Sequence, residues 1–238
     1  AGEMVDESFK GEGISLTEHA RTKWLAHYKI ALPLIEKGAP IIIVVPGAIY
    51  GPGGRGLITD LMRIFYRGYP IVVGADTVLT FAHVADVAEG HILAAERGQV
   101  GETYFLAGPA VSLGDMLDFW TYLTGIKSPG IRLPAVVVHR LAPILGLVGR
   151  ITGLPTAFSR EGALTAGASF TARSDKAREQ LGWQTRPLQS GMLETLQWIA
   201  EGETNRGQKH QRRERQLGAV AFLSAVAMLI TWLLSRRR

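Results

Sequence analysis

His19 and Lys23 are the residues of this 238-residue chain whose types and spacing first suggest chemistry. They lie four residues apart in the segment HARTKWLA (19–26), and this spacing places two side chains on one face of an α-helix. An imidazole titrates at about pH 6.5 and can transfer a proton, although a nearby charged lysine would repel its protonated form. Two interpretations stay open: His19 acts as a general base beside Lys23, or both are surface residues of a helix without catalytic activity.

An apolar helix and an apolar strand would position these two side chains. Apolar periodicity predicts a helix over 15–37, capped by Ser15 or Thr17, whose apolar stripe consists of Trp24, Leu25, Tyr28, Ala31 and Leu32. Pro40 then opens the run IIIVVP, which has no alternation and therefore predicts a strand covered on both faces.

Helices and strands alternate along the next part of the chain. The sequence predicts a helix over 57–67, a strand over 70–73, an extended piece from Val78 to Phe81, a helix over 86–97 and a strand over 102–106; the remainder is mostly helical. Such alternation predicts an α/β fold with a mainly parallel sheet. With only two or three strands, this body is expected to be the second part of a larger domain.

Four segments in order resemble the extended short-chain dehydrogenase/reductase superfamily, and the resemblance covers residues 3–200. Besides HARTKWLA they are PGAIYGPG (46–53), FAHVADVAEGHILAAERG (81–98) and SDKAREQLGW (174–183). Among its subfamilies the chain is most similar to dihydroflavonol-reductase-like and NAD-dependent epimerase/dehydratase proteins. The resemblance implies the C-terminal part of a doubly wound Rossmann-type α/β fold with a helical substrate-binding region.

The resemblance also implies roles for particular residues. In this superfamily a tyrosinate exchanges the proton of the reacting hydroxyl, and a lysine four residues later lowers the pKa of that tyrosine and holds the ribose of NAD or NADP. Lys23 matches the lysine, whereas His19 occupies the tyrosine position. The remaining implied roles are cofactor binding by Pro46, Ala48 and Ile49, and substrate binding by Tyr50, Arg55 and Arg173, although a salt bridge is an equally expected role for Arg173. Sliding the register does not supply a tyrosine, because Tyr28 is followed four residues later by Leu32 rather than lysine.

Three features of the family pattern have other interpretations or are missing. Asp86 is predicted to cap a helix rather than to act as a catalytic acid, and His83 is predicted to be a buried structural histidine. No Gly-x-x-Gly-x-x-Gly occurs between residues 1 and 45, so the half of the fold that holds the cofactor pyrophosphate is expected to be absent.

Charge and composition exclude several classes and divide the chain. There is no cysteine, which excludes a thiolate metal site, and no metal site is predicted. The net charge of +5 lies beyond residue 200, so a nucleic-acid-binding body is not expected. The predicted divisions are the second half of a cofactor-binding domain (1–108), a mainly helical substrate-binding region (109–201), a basic linker (202–216) and a transmembrane helix (217–235).

The predicted transmembrane helix has an expected orientation and partners. Basic residues on its N-terminal side outnumber the three terminal arginines, so the body is predicted to be cytoplasmic. The small residues Gly218, Ala221 and Ala225 are compatible with a homodimer.

Three functions remain as hypotheses. The first is an NAD(P)-dependent oxidoreductase or epimerase that acts on a secondary alcohol or ketone, with a sugar nucleotide, steroid-like or lipid-linked substrate. The second is a membrane-anchored pseudoenzyme or scaffold of the same fold, which lacks the catalytic tyrosine and the glycine-rich loop. The third is a membrane-surface adaptor that depends only on the basic tail.

Overall fold

The helix that carries His19 begins at the residue whose side chain caps it. The computed structural model describes residues 4–11, 17–54, 56–68, 71–133, 136 and 168–205. In α1 (Glu18–Trp24), Thr17 Oγ1 accepts a hydrogen bond from the backbone N–H of Ala20 at 3.2 Å. The helix continues as a π-helical segment (Leu25–Ala31) and then as α2 (Leu32–Glu36). The predictions of a long helix and of Thr17 as its cap are confirmed.

The strand that follows this helix belongs to a parallel pair. β1 (Ile43–Pro46) pairs in parallel with β5 (Thr103–Leu106), with Ile43 opposite Thr103 and Pro46 opposite Leu106. Both strands were expected from the sequence. The prediction that β1 is covered on both faces is not met within the described residues, because all four of its residues are only half-buried.

Two further small sheets complete the strand arrangement of the described residues. β4 (Val78–His83) is central in one of them, with β2 (Ala48–Tyr50) parallel on one side and β6 (Ala110–Ser112) antiparallel on the other. In the other, β3 (Ile71–Val73) pairs in parallel with β7 (Ile131–Leu133). The α/β prediction is confirmed, but the count of two or three strands is wrong. The strands absent from the prediction, β2, β6 and β7, have three residues each and are too short to show a periodic pattern.

Four helices supply most of the core. They are α3 (Leu57–Tyr66), α4 (Val84–Arg97), α5 (Leu113–Thr124) and α6 (Leu188–Asn205). α3, α5 and α6 contribute the largest cluster of buried apolar side chains, which includes Met62, Phe65, Trp120 and Met192. A second cluster joins α4 and β5 to a π-helical segment (Ala177–Leu181). The predicted helices over 57–67 and 86–97 are confirmed to within two residues.

The helices of the described part of the chain do not meet the requirements for crossing a membrane. None of its helices combines the length and the apolar composition that a bilayer span requires. The predicted transmembrane segment 217–235 and the basic linker from residue 206 onward lie outside the described residues.

Candidate functional site

A cavity of about 830 Å³ opens at the carboxyl ends of β1 and β5. Val45 and Pro46 of β1 and Phe105 of β5 line it, together with residues of α3, α5 and the segment 168–172. Ligands of open α/β sheets bind outside the carboxyl ends of parallel strands, and small-molecule pockets occupy about 300–1,000 Å³. Position and volume both mark this cavity as the candidate site.

The first turn of α1 brings His19 into the cavity wall. His19 is exposed, and its side chain is among those that line the cavity. Lys23 is also exposed and lies one helical turn further along, but it is not part of the lining. The structure therefore brings the predicted proton-transfer residue to the cavity, whereas the predicted lysine is not among the residues that line it.

The turn between β1 and β2 forms the wall beside His19. Pro46, Ala48 and Ile49, the three predicted cofactor-binding residues, all line the cavity. Gly47 lets the turn approach β4 closely, because a Cβ atom there would lie 2.5 Å from the carbonyl oxygen of Thr80. These three residues and His19 are thus brought together, and their roles remain predictions.

The predicted substrate-binding residues are not brought to the cavity by the described structure. Tyr50 is 2% exposed and packs edge-on against Phe81 and His83, with ring centroids 6.4 and 5.3 Å away. Burial raises the pKa of Tyr50 to about 12, so its phenol stays neutral. Arg173 is exposed and donates a hydrogen bond from Nε to Asp175 at 2.6 Å. Arg55 lies outside the described residues.

The start of α4 differs from the prediction. His83 rather than Asp86 is its N-cap: His83 Nδ1 accepts a hydrogen bond from the backbone N–H of Ala85 at 3.3 Å. The capping prediction for Asp86 is wrong, because its carboxylate is engaged by Arg186 instead. The prediction of a buried His83 is confirmed, and burial lowers the pKa of His83.

The segment SDKAREQLGW has a structural role in this fold. Ser174 Oγ accepts a hydrogen bond from Ala107 N at 2.6 Å and donates one to Ala107 O at 2.8 Å. Trp183 is fully buried, and its Nε1 donates to Asp86 O at 2.7 Å. These bonds dock the segment on the end of β5 and the start of α4.

Tyr28 is committed to holding the N-terminal segment rather than facing a reactant. Its hydroxyl oxygen accepts a hydrogen bond from Gly11 N at 2.9 Å, and its O–H donates to Phe9 O at 3.3 Å. Trp24 Nε1 donates to Gly11 O at 3.1 Å. The two aromatic side chains therefore anchor the segment from which Val5 and Phe9 reach the cavity.

Sequence reasoning missed the part of the wall that comes from distant segments. Val5 N donates to Thr171 O at 3.0 Å, and Arg173 N donates to Val5 O at 2.8 Å, so residues 5–9 and 168–172 form one side of the cavity. Trp120 of α5 lines it as well. No local motif marks these positions; the apolar spacing of 113–120 indicates a helix but not the cavity it faces.

The comparison with protein families agrees with the site. The model of the NAD dependent epimerase/dehydratase family matches residues 12–107, which include His19 and the turn between β1 and β2. Over these residues the chain is similar to the extended short-chain dehydrogenase/reductase superfamily. A superfamily relative, short-chain dehydrogenase/reductase family 42E member 1 of Bos taurus, is 24% identical over 91% of this chain. A ketoreductase of Stigmatella aurantiaca, named for a farnesyl-bearing dihydroquinoline oxide, is 30% identical over 81% of this chain.

Solved structures of the same fold extend over most of the chain. The crystal structure of gox2253 is 30% identical, with a TM-score of 0.65, and the match covers 84% of this chain and 62% of that one. MoeE5 in complex with UDP-glucuronic acid and NAD has a TM-score of 0.61 at 21% identity, over 85% of this chain and 61% of that chain. The chain spans 60% of the length of the bovine relative and 59% of that of the ketoreductase.

Proposed function

We propose that this chain belongs to an NAD(P)-dependent oxidoreductase or epimerase that acts on a secondary alcohol or ketone by hydride transfer. One observation carries the proposal: His19, Pro46, Ala48 and Ile49 line a single cavity at the carboxyl end of β1. Such a reaction needs a proton-transferring group beside the reacting carbon and an apolar surface on which the nicotinamide ring can pack. The family match and the relative that is named as a ketoreductase support the same reaction class.

The turn between β1 and β2 fits the nicotinamide end of the cofactor. Pro46, Ala48 and Ile49 present an apolar surface, and Ile49 is 41% exposed, so an uncharged ring has a surface to pack on. Bound there, the nicotinamide would accept or supply the hydride. Lys23, exposed one turn beyond His19, is our proposed contact to the cofactor ribose; its long, flexible side chain suits that reach.

His19 is the proposed group that exchanges the proton of the substrate hydroxyl. Its side chain is exposed in the cavity wall, so both a substrate and water can reach it. A neutral imidazole accepts the hydroxyl proton when the alcohol is oxidised, and an imidazolium returns it when the ketone is reduced. Thr17 supports this role by capping the turn that carries His19.

One observation favours the pseudoenzyme as a second candidate. No tyrosine lines the cavity among the residues that the structure describes, and the hydroxyl of Tyr28 is bound to the backbone of residues 9 and 11. If His19 does not transfer protons, the same fold would serve as a binding module or scaffold. Anchoring by residues 217–235, with the body on the cytoplasmic side, remains our proposal for either case.

Steady-state kinetics of His19 variants would test the proposal. With NADH or NADPH and a panel of ketones, we expect His19→Ala to lower kcat by about 100-fold or more, because general acid–base groups contribute that much. His91→Ala is the matched control, since His91 is an exposed histidine of α4 outside the cavity wall, and it should keep wild-type kcat. A measurable wild-type rate that His19→Ala leaves unchanged would refute the proton-transfer role.

A His19→Tyr variant separates the two candidates. An active wild-type protein with a slower His19→Ala variant supports the oxidoreductase. An inactive wild-type protein that gains turnover only as His19→Tyr supports the pseudoenzyme, because the family's tyrosine would then restore the missing proton transfer.

A further inference from the structure

The described residues of the cavity wall are mostly apolar. Among the described residues that line it there is no Asp, Glu, Lys or Arg side chain, and His19 is their one titratable group. Exposed apolar side chains of Phe9, Ile49, Leu57 and Phe170 also belong to the lining, so water can reach apolar surface along the wall. Contiguous exposed apolar surface of this kind marks a binding site for an apolar partner.

Among the described residues of the cavity wall, one buried donor lacks a hydrogen-bond partner. Trp120 lines the cavity, is 1% exposed and packs edge-on against Phe65 at a centroid distance of 5.5 Å. Its Nε1–H has no hydrogen-bond partner among the described residues. By contrast, the indole N–H groups of Trp24 and Trp183 both donate to backbone carbonyl oxygens. A buried donor without a partner is destabilising, so an oxygen atom supplied by a ligand would satisfy it.

We propose that the cavity binds an apolar alcohol or ketone carrying an oxygen acceptor that receives the Trp120 Nε1–H. This inference rests on the proposed function and names the substrate class of the same site. A nucleoside diphosphate sugar is a poor fit. Its two charged phosphates would lose their hydration next to a wall whose described residues carry no cationic side chain to pair with them. Trp120 is therefore a specificity-determining residue for the apolar substrate.

Two ligands of nearly the same shape, one with and one without the oxygen acceptor, isolate the contribution of the indole hydrogen bond to binding. The probes are the tetracyclic ketone androstan-17-one and its 17-methylene analogue, which replaces the carbonyl oxygen by a CH₂ group. Isothermal titration calorimetry of the full chain would measure both dissociation constants. We expect the ketone to bind about fivefold more tightly, as one net hydrogen bond provides.

Two tryptophan variants test whether that preference comes from Trp120. Trp120→Phe keeps an aromatic ring against Phe65 but removes the N–H, so it should bind the two probes equally. Trp198→Phe makes the same chemical change at a half-buried residue outside the cavity wall and should keep the preference. A preference that survives in Trp120→Phe, or is absent from wild type, overturns the assignment of Trp120.

Competition with UDP-glucose tests the substrate class independently. We expect UDP-glucose to leave the dissociation constant of the ketone unchanged; displacement of the ketone at equal concentration would overturn the apolar class. Because these are binding measurements, they also separate the two proposals. Tight ketone binding without any NAD(P)H-dependent turnover would refute the proposed reaction and leave the ligand class standing.

Discussion

Asp86 joins two parts of the chain that are distant in sequence. Its side chain is only 7% exposed, and its two carboxylate oxygens accept hydrogen bonds from Arg186 N at 2.9 Å and Arg186 Nε at 2.8 Å. Arg186 also donates to Glu194 Oε2 at 2.9 Å. Arg186 therefore links the first turn of α4 to α6 through one buried and one exposed carboxylate.

Removing the buried carboxylate charge should be more destabilising than removing the exposed one. We expect Asp86→Asn to lower the free energy of unfolding by about 2 kcal/mol, because it leaves a half-buried guanidinium without its main counterion. Glu194→Gln is the matched control; its side chain is 49% exposed, so the loss should stay below about 1 kcal/mol. Urea denaturation measures both. Equal losses for the two variants would contradict this account.

At the residue scale, the sequence predicted the part of the cavity wall formed by α1 and the turn between β1 and β2, but not the part formed by Trp120 and the segment 168–172. His19, Pro46, Ala48 and Ile49 lie within short motifs, so a resemblance could locate them. Trp120 and the segment 168–172 reach the cavity through tertiary packing, which no local spacing reveals. Tyr50 belongs to a recognised motif, yet its ring is buried in the core, where it packs against Phe81 and His83.

At the scale of elements, α6 packs closely against the end of β2. Gly191 faces the ring of Tyr50, and a Cβ atom at Gly191 would lie 2.5 Å from Tyr50 Oη. Gly202, on the same helix, has open space around the position of its Cβ. Two glycines of one helix thus differ only in whether they are in contact with a neighbouring element.

This difference predicts opposite signs for the same substitution. Gly202→Ala should raise the free energy of unfolding by about 0.5–1 kcal/mol, because alanine favours the helical conformation more than glycine does. Gly191→Ala should lower it by about 1–3 kcal/mol, since the buried Tyr50 cannot move away without disturbing the core. Thermal unfolding of the two variants measures both signs. An increase for Gly191→Ala would mean that α6 and β2 are not packed this closely.

Element prediction succeeded where patterns were long. The helices over 18–36, 57–66 and 84–97 show apolar spacing over several turns, and the sequence located all three. The three-residue strands carry too few positions for alternation, and β6 pairs antiparallel with β4 in an otherwise parallel arrangement. Pairing partners of such strands depend on the tertiary fold rather than on their own residues.

At the scale of the whole molecule, the buried His83 and the half-buried His27 make stability depend on pH. Burial lowers the pKa of both His83 and His27 below the ordinary value of 6.5. For His83, the nearby Arg186 lowers the pKa further, whereas Glu194 and Asp86 raise it. The neutral imidazole is therefore favoured in the folded state, and the unfolded chain binds more protons once the pH falls below 6.5.

The sign of this effect is testable with one substitution. Stability contributed by neutral His83 is fully present above pH 6.5 and is lost as the pH falls from 6.5 through the lowered pKa of the folded state. His83→Asn keeps an acceptor for the N–H of Ala85 but does not titrate, so its unfolding free energy should fall less between pH 7.5 and pH 5.5 than that of wild type.

Denaturation at both pH values would measure the difference, with the exposed His91→Asn as a control that keeps the wild-type dependence. Identical slopes for wild type and His83→Asn would show that His83 does not contribute.

The hydrogen bonds that close the cavity also have a consequence for how the protein folds. Glu7 accepts a hydrogen bond from Phe105 N across 98 residues of chain, and Ser169 Oγ accepts one from Val78 N across 91 residues. Contacts between such distant segments form slowly, because the entropy of closing a long loop must be overcome before the contact is made. Helices such as α1 and α4 can form early from local contacts, whereas the complete cavity wall forms late. Binding competence should therefore be among the last properties that a refolding chain regains.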